Sequence, residues 1–465
     1  MEQVKVNPLG SEPIGKLMIR FSLPSIAAML VSALYNIVDQ FFIGQTVGPL
    51  GNAATNIAFP LAMSCTAIAL LFGIGGASQF NLHMGRGEKE KAPFFTGNAV
   101  VMLILCGTVL FLACEILLDP MLYAFGSPDD VFPYAREYVR ITAIGFPFLI
   151  LTVGGGHLIR ADGSPNMSLI CSFSGAIINT VLDWVFTMKL DLGIAGAAYA
   201  TVIGQMFSAF LVIRYMMHYK TVHLGREHLK LKGKAVAAIA SVGVASFINQ
   251  IAMMMVQIVS NNVLKKYGGM SVYGESIPIA CAGVVTKVNQ VFFSIVIGIA
   301  QGSQPIESFN YGARNYERVR KTYALAVISA SIISIGSFAA FQLFPRQILS
   351  FFGDGSPEYF EFGTMYFRIY LFFAWLNCLQ PMTNTFFTSI GKAVKGAFLS
   401  MTRQIIFLLP LILILTRMMG ITGILYAGPG ADLLAAICAI VMAVIEFKNI
   451  KKLEIEEKSA RVSNS

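Results

Sequence analysis

Apolar runs of bilayer length recur along this chain, separated by short polar breaks, and that pattern constrains the fold more than any other feature. A hydrocarbon core takes ~20 apolar residues as a helix, and the sequence supplies about twelve such runs. In the first half they are Leu17–Phe42, Asn52–Leu82, Phe94–Leu117, Tyr138–Ile159, Met167–Met188 and Ile194–Met217. In the second they are Ala235–Leu264, Ile277–Phe309, Val319–Phe344, Phe362–Thr388, Val394–Leu415 and Ile421–Phe447. Several exceed the minimum and should tilt, bend or protrude into water. Composition agrees: of 465 residues 55% are hydrophobic and only 13% charged, against roughly 25% in soluble domains. So few charges cannot cover a water-facing surface, whereas lipid as solvent removes that need.

The net charge of +9 could suggest nucleic acid, but its distribution points to a membrane. Arg20, Arg86, Lys89, Lys91, Arg160, Lys220, Lys230, Lys232, Lys234, Arg314, Arg318, Arg320, Lys392 and Lys395 fall near the amino terminus or in even-numbered loops, and Lys448, Lys451 and Lys452 in the tail. The odd loops hold only Lys189, Lys265, Lys266, Arg346 and Arg417. This bias predicts a multi-pass protein of the inner (plasma) membrane with both termini cytoplasmic. No short apolar segment with a cleavage site precedes the first run, so no removable signal is expected. The seven cysteines lie mostly inside apolar runs without a CxxC pair and read as small core residues.

The chain repeats itself. Gly73-Ile-Gly-Gly-Ala-Ser-Gln79 is echoed by Gly298-Ile-Ala-Gln-Gly-Ser-Gln304, and Gly193-Ile-Ala-Gly-Ala-Ala-Tyr-Ala200 by Gly420-Ile-Thr-Gly-Ile-Leu-Tyr-Ala427, with an offset of about 225 residues. The expectation is an all-α membrane protein of two pseudo-symmetric six-helix lobes, residues 1–220 and 235–447, joined by a cytoplasmic linker at 221–234 and followed by a tail at 448–465. An even number of spans per half makes the repeat parallel, with its axis along the membrane normal and a substrate site between the halves.

Chemistry is conspicuous by class. No GxxxxGK[ST] occurs, so no phosphate loop for ATP is expected. Gly73-Ile-Gly-Gly sits inside an apolar run, where helix packing or a bend explains it. His218, His223 and His228 do not converge on one metal at their spacing, and no catalytic set appears, so the chain reads as a non-enzyme. Ionisable groups within apolar runs are costly, ~2.5–3.5 kcal/mol each, and mark pathways. In the first half these are Asp39, with Tyr35 and Asn36 a turn earlier on the same face, and Asp183, a turn after Asn179. Thr201 lies in the sixth run. Two carboxylates, a carboxamide and a hydroxyl are hard oxygen ligands that Na⁺ would accept; the acids could instead carry a proton. The second half differs: Gln257 falls roughly where Asp39 should recur and Leu411 where Asp183 should. It holds Lys287, Gln290, Glu307, Arg403 and Asp432. Arg403 reads as one half of a structural ion pair, Lys287 as a partner for Glu307 or Asp432, and Glu307 as hydrated near the cytoplasmic end. Gln257, Lys287, Gln290 and Arg403 are the candidate cavity residues of this half.

With these residues in view, the chain resembles the multidrug and toxic compound extrusion (MATE) family. The likeness is carried by Leu23-Pro24, Tyr35-Asn-Ile-Val-Asp39, Phe42-Ile-Gly44, Arg160-Ala-Asp-Gly-Ser-Pro165, Asn179-x-x-x-Asp183, Gln304-Pro305 and Phe309-Asn-Tyr-Gly-Ala313. The resemblance implies a V-shaped pair of lobes, alternating access, and export of cationic amphipathic drugs in exchange for Na⁺ or H⁺ by a monomer in membrane lipid, without ATP, nucleic acid or a cofactor. It places the family's cation site on Asp39, Asn179, Asp183 and Thr201. The seventh-helix acid of some branches is not matched, because Gln257 and its neighbours are neutral. A flippase for lipid-linked sugars of the same superfamily is the alternative; its pyrophosphate would call for several interior bases.

Overall fold

The computed structural model describes residues 7–463, apart from 48, 126, 128, 130, 275 and 352–355. The first half builds α1 (Ile14–Thr46), α2 (Pro49–Gly85), α3 (Ala92–Ala124), α4 in two pieces (Phe132–Ala143 and Phe146–Ala161), α5 (Pro165–Asp183, continued as a π-helix over Trp184–Lys189) and α6 (Gly193–Met216). The second builds α7 (Gly233–Gly269), α8 (Ser276–Gly312), α9 (Tyr316–Leu343), a broken α10 (Pro357–Met365, Tyr366–Tyr370, Ala374–Leu376 and Leu379–Ser389), α11 (Ala393–Met401, a π-helix Thr402–Leu408, and Leu409–Met419) and α12 (Thr422–Ser463). Among the described residues every regular element is helical, as the apolar runs require: in lipid each backbone group must be satisfied within its own segment.

Among the described residues ten of these helices are long and apolar enough to span, eleven counting the bent α4. The tenth expected run does not form one continuous span. Pro381 cannot donate to the carbonyl a turn before it and clashes there, and α10 opens into turns between Leu371 and Cys378. In α4 the bend is 56°, at Ile144-Gly145, just before Pro147 removes another rung. The two breaks lie one repeat apart, so the kink belongs to the six-helix unit.

The repeated glycine segments form the seam between the lobes. α1 packs on α8 and α2 on α7, two pairings that exchange under the repeat, while α2 and α8 meet at the centre. A Cβ on Gly75 would lie 2.1 Å from the Ile239 carbonyl oxygen, and one on Gly243 only 1.7 Å from that of Leu71. The backbones of α2 and α7 therefore touch, which only glycine permits. At the related crossing, Gly298 and Gly302 of α8 lie against Ile26 and Ser22 of α1. Polar groups of the same repeats bridge the seam. Gln304 Nε2 donates to Ser78 Oγ at 2.9 Å, and Gln79 Nε2 to the Ala238 carbonyl at 3.2 Å.

All of these contacts lie toward the end that carries both termini. Toward the other end the same helix faces come free: Met253 and Gln257 on α7 and Lys287 and Gln290 on α8 are exposed. The lobes are thus shut at one end and parted at the other. Gly243→Val is expected to force the seam apart. A short thiol cross-linker that joins cysteines placed at 78 and 304 in the parent should fail to join them in this variant. Gly283→Val, where a Cβ meets nothing within 4 Å, should leave the cross-link intact.

The linker is tied to the first lobe. Asp162 accepts from Tyr215 Oη at 2.7 Å, from the Lys220 and Thr221 amides at 2.7 and 2.9 Å, and from Thr221 Oγ1 at 2.6 Å. Burial pushes its carboxyl above the usual range, and these donors oppose that shift. Asn98 adds bonds to the His228 and Lys230 carbonyls and the Lys232 amide.

Candidate functional site: a buried carboxylate pair in the first lobe

α5 packs against both α1 and α6, and this brings the three sequence-selected segments together. Asp39 is 8% exposed and Asp183 fully buried, and the two carboxyl groups adjoin one another. Asn179, one turn before Asp183, lies near that carboxylate and donates from Nδ2 to Thr201 Oγ1 at 3.3 Å. Tyr35, one turn before Asp39, stands within range of both charges. The Asn36 side chain lies outside the described residues. Directly after Asp183 the helix widens into the π-helix Trp184–Lys189, a form that recurs at functional sites. The Asp183 carbonyl takes the Thr187 hydroxyl at 2.6 Å.

Among the described residues the pair has no positive partner. Among the described residues, Asp39 Oδ1, Asn179 Oδ1 and both Asp183 carboxylate oxygens are buried without a donor. Two like charges in contact and out of water are unfavourable unless a cation joins them. The available ligands are carboxylate, amide and hydroxyl oxygens, the hard set suited to a small alkali cation; a shared proton would also relieve the repulsion. Among the described residues no three His, Cys, Asp or Glu side chains group as a metal site.

One participant was not singled out from sequence. Tyr138 of α4 lies in the same cluster, close enough to feel both carboxylates and Tyr35. In the sequence it marks only the edge of an apolar run, and nothing local distinguishes it from an interfacial tyrosine.

The second lobe contains a neutralised interior instead. Arg403 Nε donates to Asp432 Oδ1 at 2.7 Å, with side chains 16% and 2% exposed, beneath Tyr370. Lys287 pairs with neither of its expected acids: Asp432 is taken by Arg403, and Glu307 accepts the Ser389 hydroxyl at 2.7 Å. The expected hydration of Glu307 is also corrected, since it is 1% exposed. Its depth along α8 placed it near water, but α10 folds over it. Gln257 is exposed and donates to Asn261 Oδ1 at 3.2 Å; Gln290 is exposed on α8.

Two six-helix lobes shut at one end around a parting cleft, with a buried acid pair in one of them, define the architecture of a membrane carrier. Comparison with known proteins gives the family. The family profile described as MatE matches residues 24–185 and 245–414, most of both lobes. The multidrug export protein MepA of Staphylococcus haemolyticus is 23% identical over 447 residues, covering 96% of each chain. That of Staphylococcus aureus (strain NCTC 8325 / PS 47) is 23% identical over 434 residues, covering 93% of this chain and 94% of its own. The fold superposes on a structure described as MATE in complex with MaL6, with a TM-score of 0.89 at 22% identity, covering 97% of this chain and 100% of that one. It also superposes on an outward-facing multidrug resistance MATE family transporter of the MOP superfamily, with a TM-score of 0.88, 22% identity and the same coverage. The chain belongs to the MATE family of multidrug efflux transporters, and is accordingly a transporter rather than an enzyme.

Proposed function

We propose that the protein is a secondary antiporter that exports amphipathic organic cations and drugs in exchange for Na⁺ or H⁺, with Asp39, Asn179, Asp183 and Thr201 as the ion site and Tyr35 in support. The observation that carries this reading is the adjoining acid pair, against which no basic side chain stands among the described residues: a buried double charge calls for a small cation, and whatever it takes up is released again when the site is re-exposed. Residues 1–220 and 235–447 move as lobes about the linker at 221–234, with 448–465 as a tail. The bias of basic residues puts the closed seam and both termini in the cytoplasm of a cell-membrane protein, so the conformation described above is open outward. Both walls of the cleft come from one chain, which suits a monomer.

In the outward state the ion enters the acid cluster from the cleft. Occupancy removes the repulsion between Asp39 and Asp183, lets α1 and α5 close on each other, and disfavours the cargo-binding shape of the cleft. Exchange requires ion and cargo to prefer different states; tight binding alone shifts nothing. A flippase cavity for pyrophosphate is disfavoured, because Arg403 is already paired and Lys287 is left as the base at mid-depth on the α7–α8 wall.

Purified protein in liposomes, loaded with a fluorescent cationic dye and given a Na⁺ or a pH gradient separately, tests the reading. Dye movement should follow one of the two gradients and run opposite to it. Movement indifferent to both would overturn the antiport.

A further inference from the structure

We infer that Lys287 is a specificity-determining residue of the cleft, which recognises an anionic group on the cargo. The inference rests on the export reading above and names a residue that discriminates among its cargoes.

Lys287 lies eleven residues, about three turns, before Gly298, and so shares the helix face that packs against Ile26 of α1 at the seam. The opposite face of α8, with Cys281, Val285, Val288 and Phe292, faces the core of its own lobe. Where the lobes part, Lys287 thus points across the cleft toward the first lobe and not into its own. It is exposed. Among the described residues no acid pairs with it, since the acids expected for it are taken by Arg403 and Ser389.

The surroundings reinforce the polarity. Gln257 and Asn261 lie about four and five turns beyond Gly243, on the α7 face that touches α2, and both are exposed. Neither α7 from residue 250 onward nor α8 from 276 to 294 contains an Asp or Glu. This wall is polar and positive, while the first lobe holds its two adjoining acids behind the opposite wall. Lys287 stands about 16 Å from the outer end of α8 at 1.5 Å per residue, near mid-membrane, where a charge is expensive and functional. A plain organic cation gains nothing from it. A carboxylate gains a charge-assisted hydrogen bond.

Two dyes separate the possibilities: rhodamine 110, a free acid, and its methyl ester rhodamine 123, which differ in that carboxylate alone. Their affinities for the purified protein are read by fluorescence polarisation, independently of transport. The parent should bind both, and Lys287→Gln should lower the acid-to-ester affinity ratio about tenfold, as loss of a charged hydrogen bond implies, with Lys287→Arg restoring it. A ratio unmoved by Lys287→Gln, or a parent that does not bind the acid, would overturn the subsite. Binding that follows this pattern without gradient-driven export in liposomes would support the subsite while refuting the antiport.

Discussion

Asp39→Asn is expected to reduce gradient-driven efflux to the level of liposomes without protein, while insertion and thermal stability stay near those of the parent. The substitution keeps the volume and hydrogen-bonding shape of the side chain but removes the charge that adjoins Asp183. The remaining acid then has an amide in place of a second anion, and no longer needs a cation to relieve repulsion. Ion occupancy ceases to bias the lobe, and the exchange loses its drive. Asp183→Asn should act alike, because the pair works as a unit, and the double variant should add little to either. Binding of a cationic dye should persist in all three, since the acids lie inside the lobe rather than on the cleft wall. Dye efflux that still followed the ion gradient in Asp39→Asn would count decisively against the proposed site.

Arg403→Met is expected to destabilise the second lobe by about 3–5 kcal/mol, the cost typical of stranding one member of a buried ion pair. Asp432, only 2% exposed, would keep its carboxylate in a non-aqueous interior without the guanidinium at 2.7 Å. The readout is thermal unfolding in detergent. Adding Asp432→Leu should recover most of the loss, because replacing both partners with apolar groups of similar size is often near neutral. If the single and double variants were equally unstable, Arg403 would matter through packing rather than charge. The contrast between the lobes follows: one buries two acids without a base, the other an acid with one.

The ion-pair reading of Arg403 was legible because a guanidinium in an apolar run has few tolerable environments. Its actual partner was not, since Asp432 lies a whole helix away and was read as a candidate for Lys287. Glu307 shows the opposite difficulty. Its position near the end of an apolar run implied water, but α10, broken at residues no periodicity marks, folds back over it. Tyr138 entered the acid cluster for a similar reason: the bend before Pro147 sets which way the first segment of α4 turns Tyr138, and a run of apolar residues carries no record of that angle. Gly73-Ile-Gly-Gly was readable as a packing element, and its echo in the second half as a repeat. That the two echoes are the seam itself emerged only once α2 and α7 were seen to touch at Gly75 and Gly243.

By itself the amino-acid sequence determined the solvent, most of the spans, the twofold repeat and the residue types able to hold a cation, because each follows from local composition and from the backbone's need to satisfy its hydrogen bonds in lipid. Only the tertiary structure decided which of those polar groups meet, which are cancelled by a partner and which stand open in the cleft. Those outcomes depend on helix rotation and crossing, set by packing between residues far apart in the chain, and no helical period encodes them.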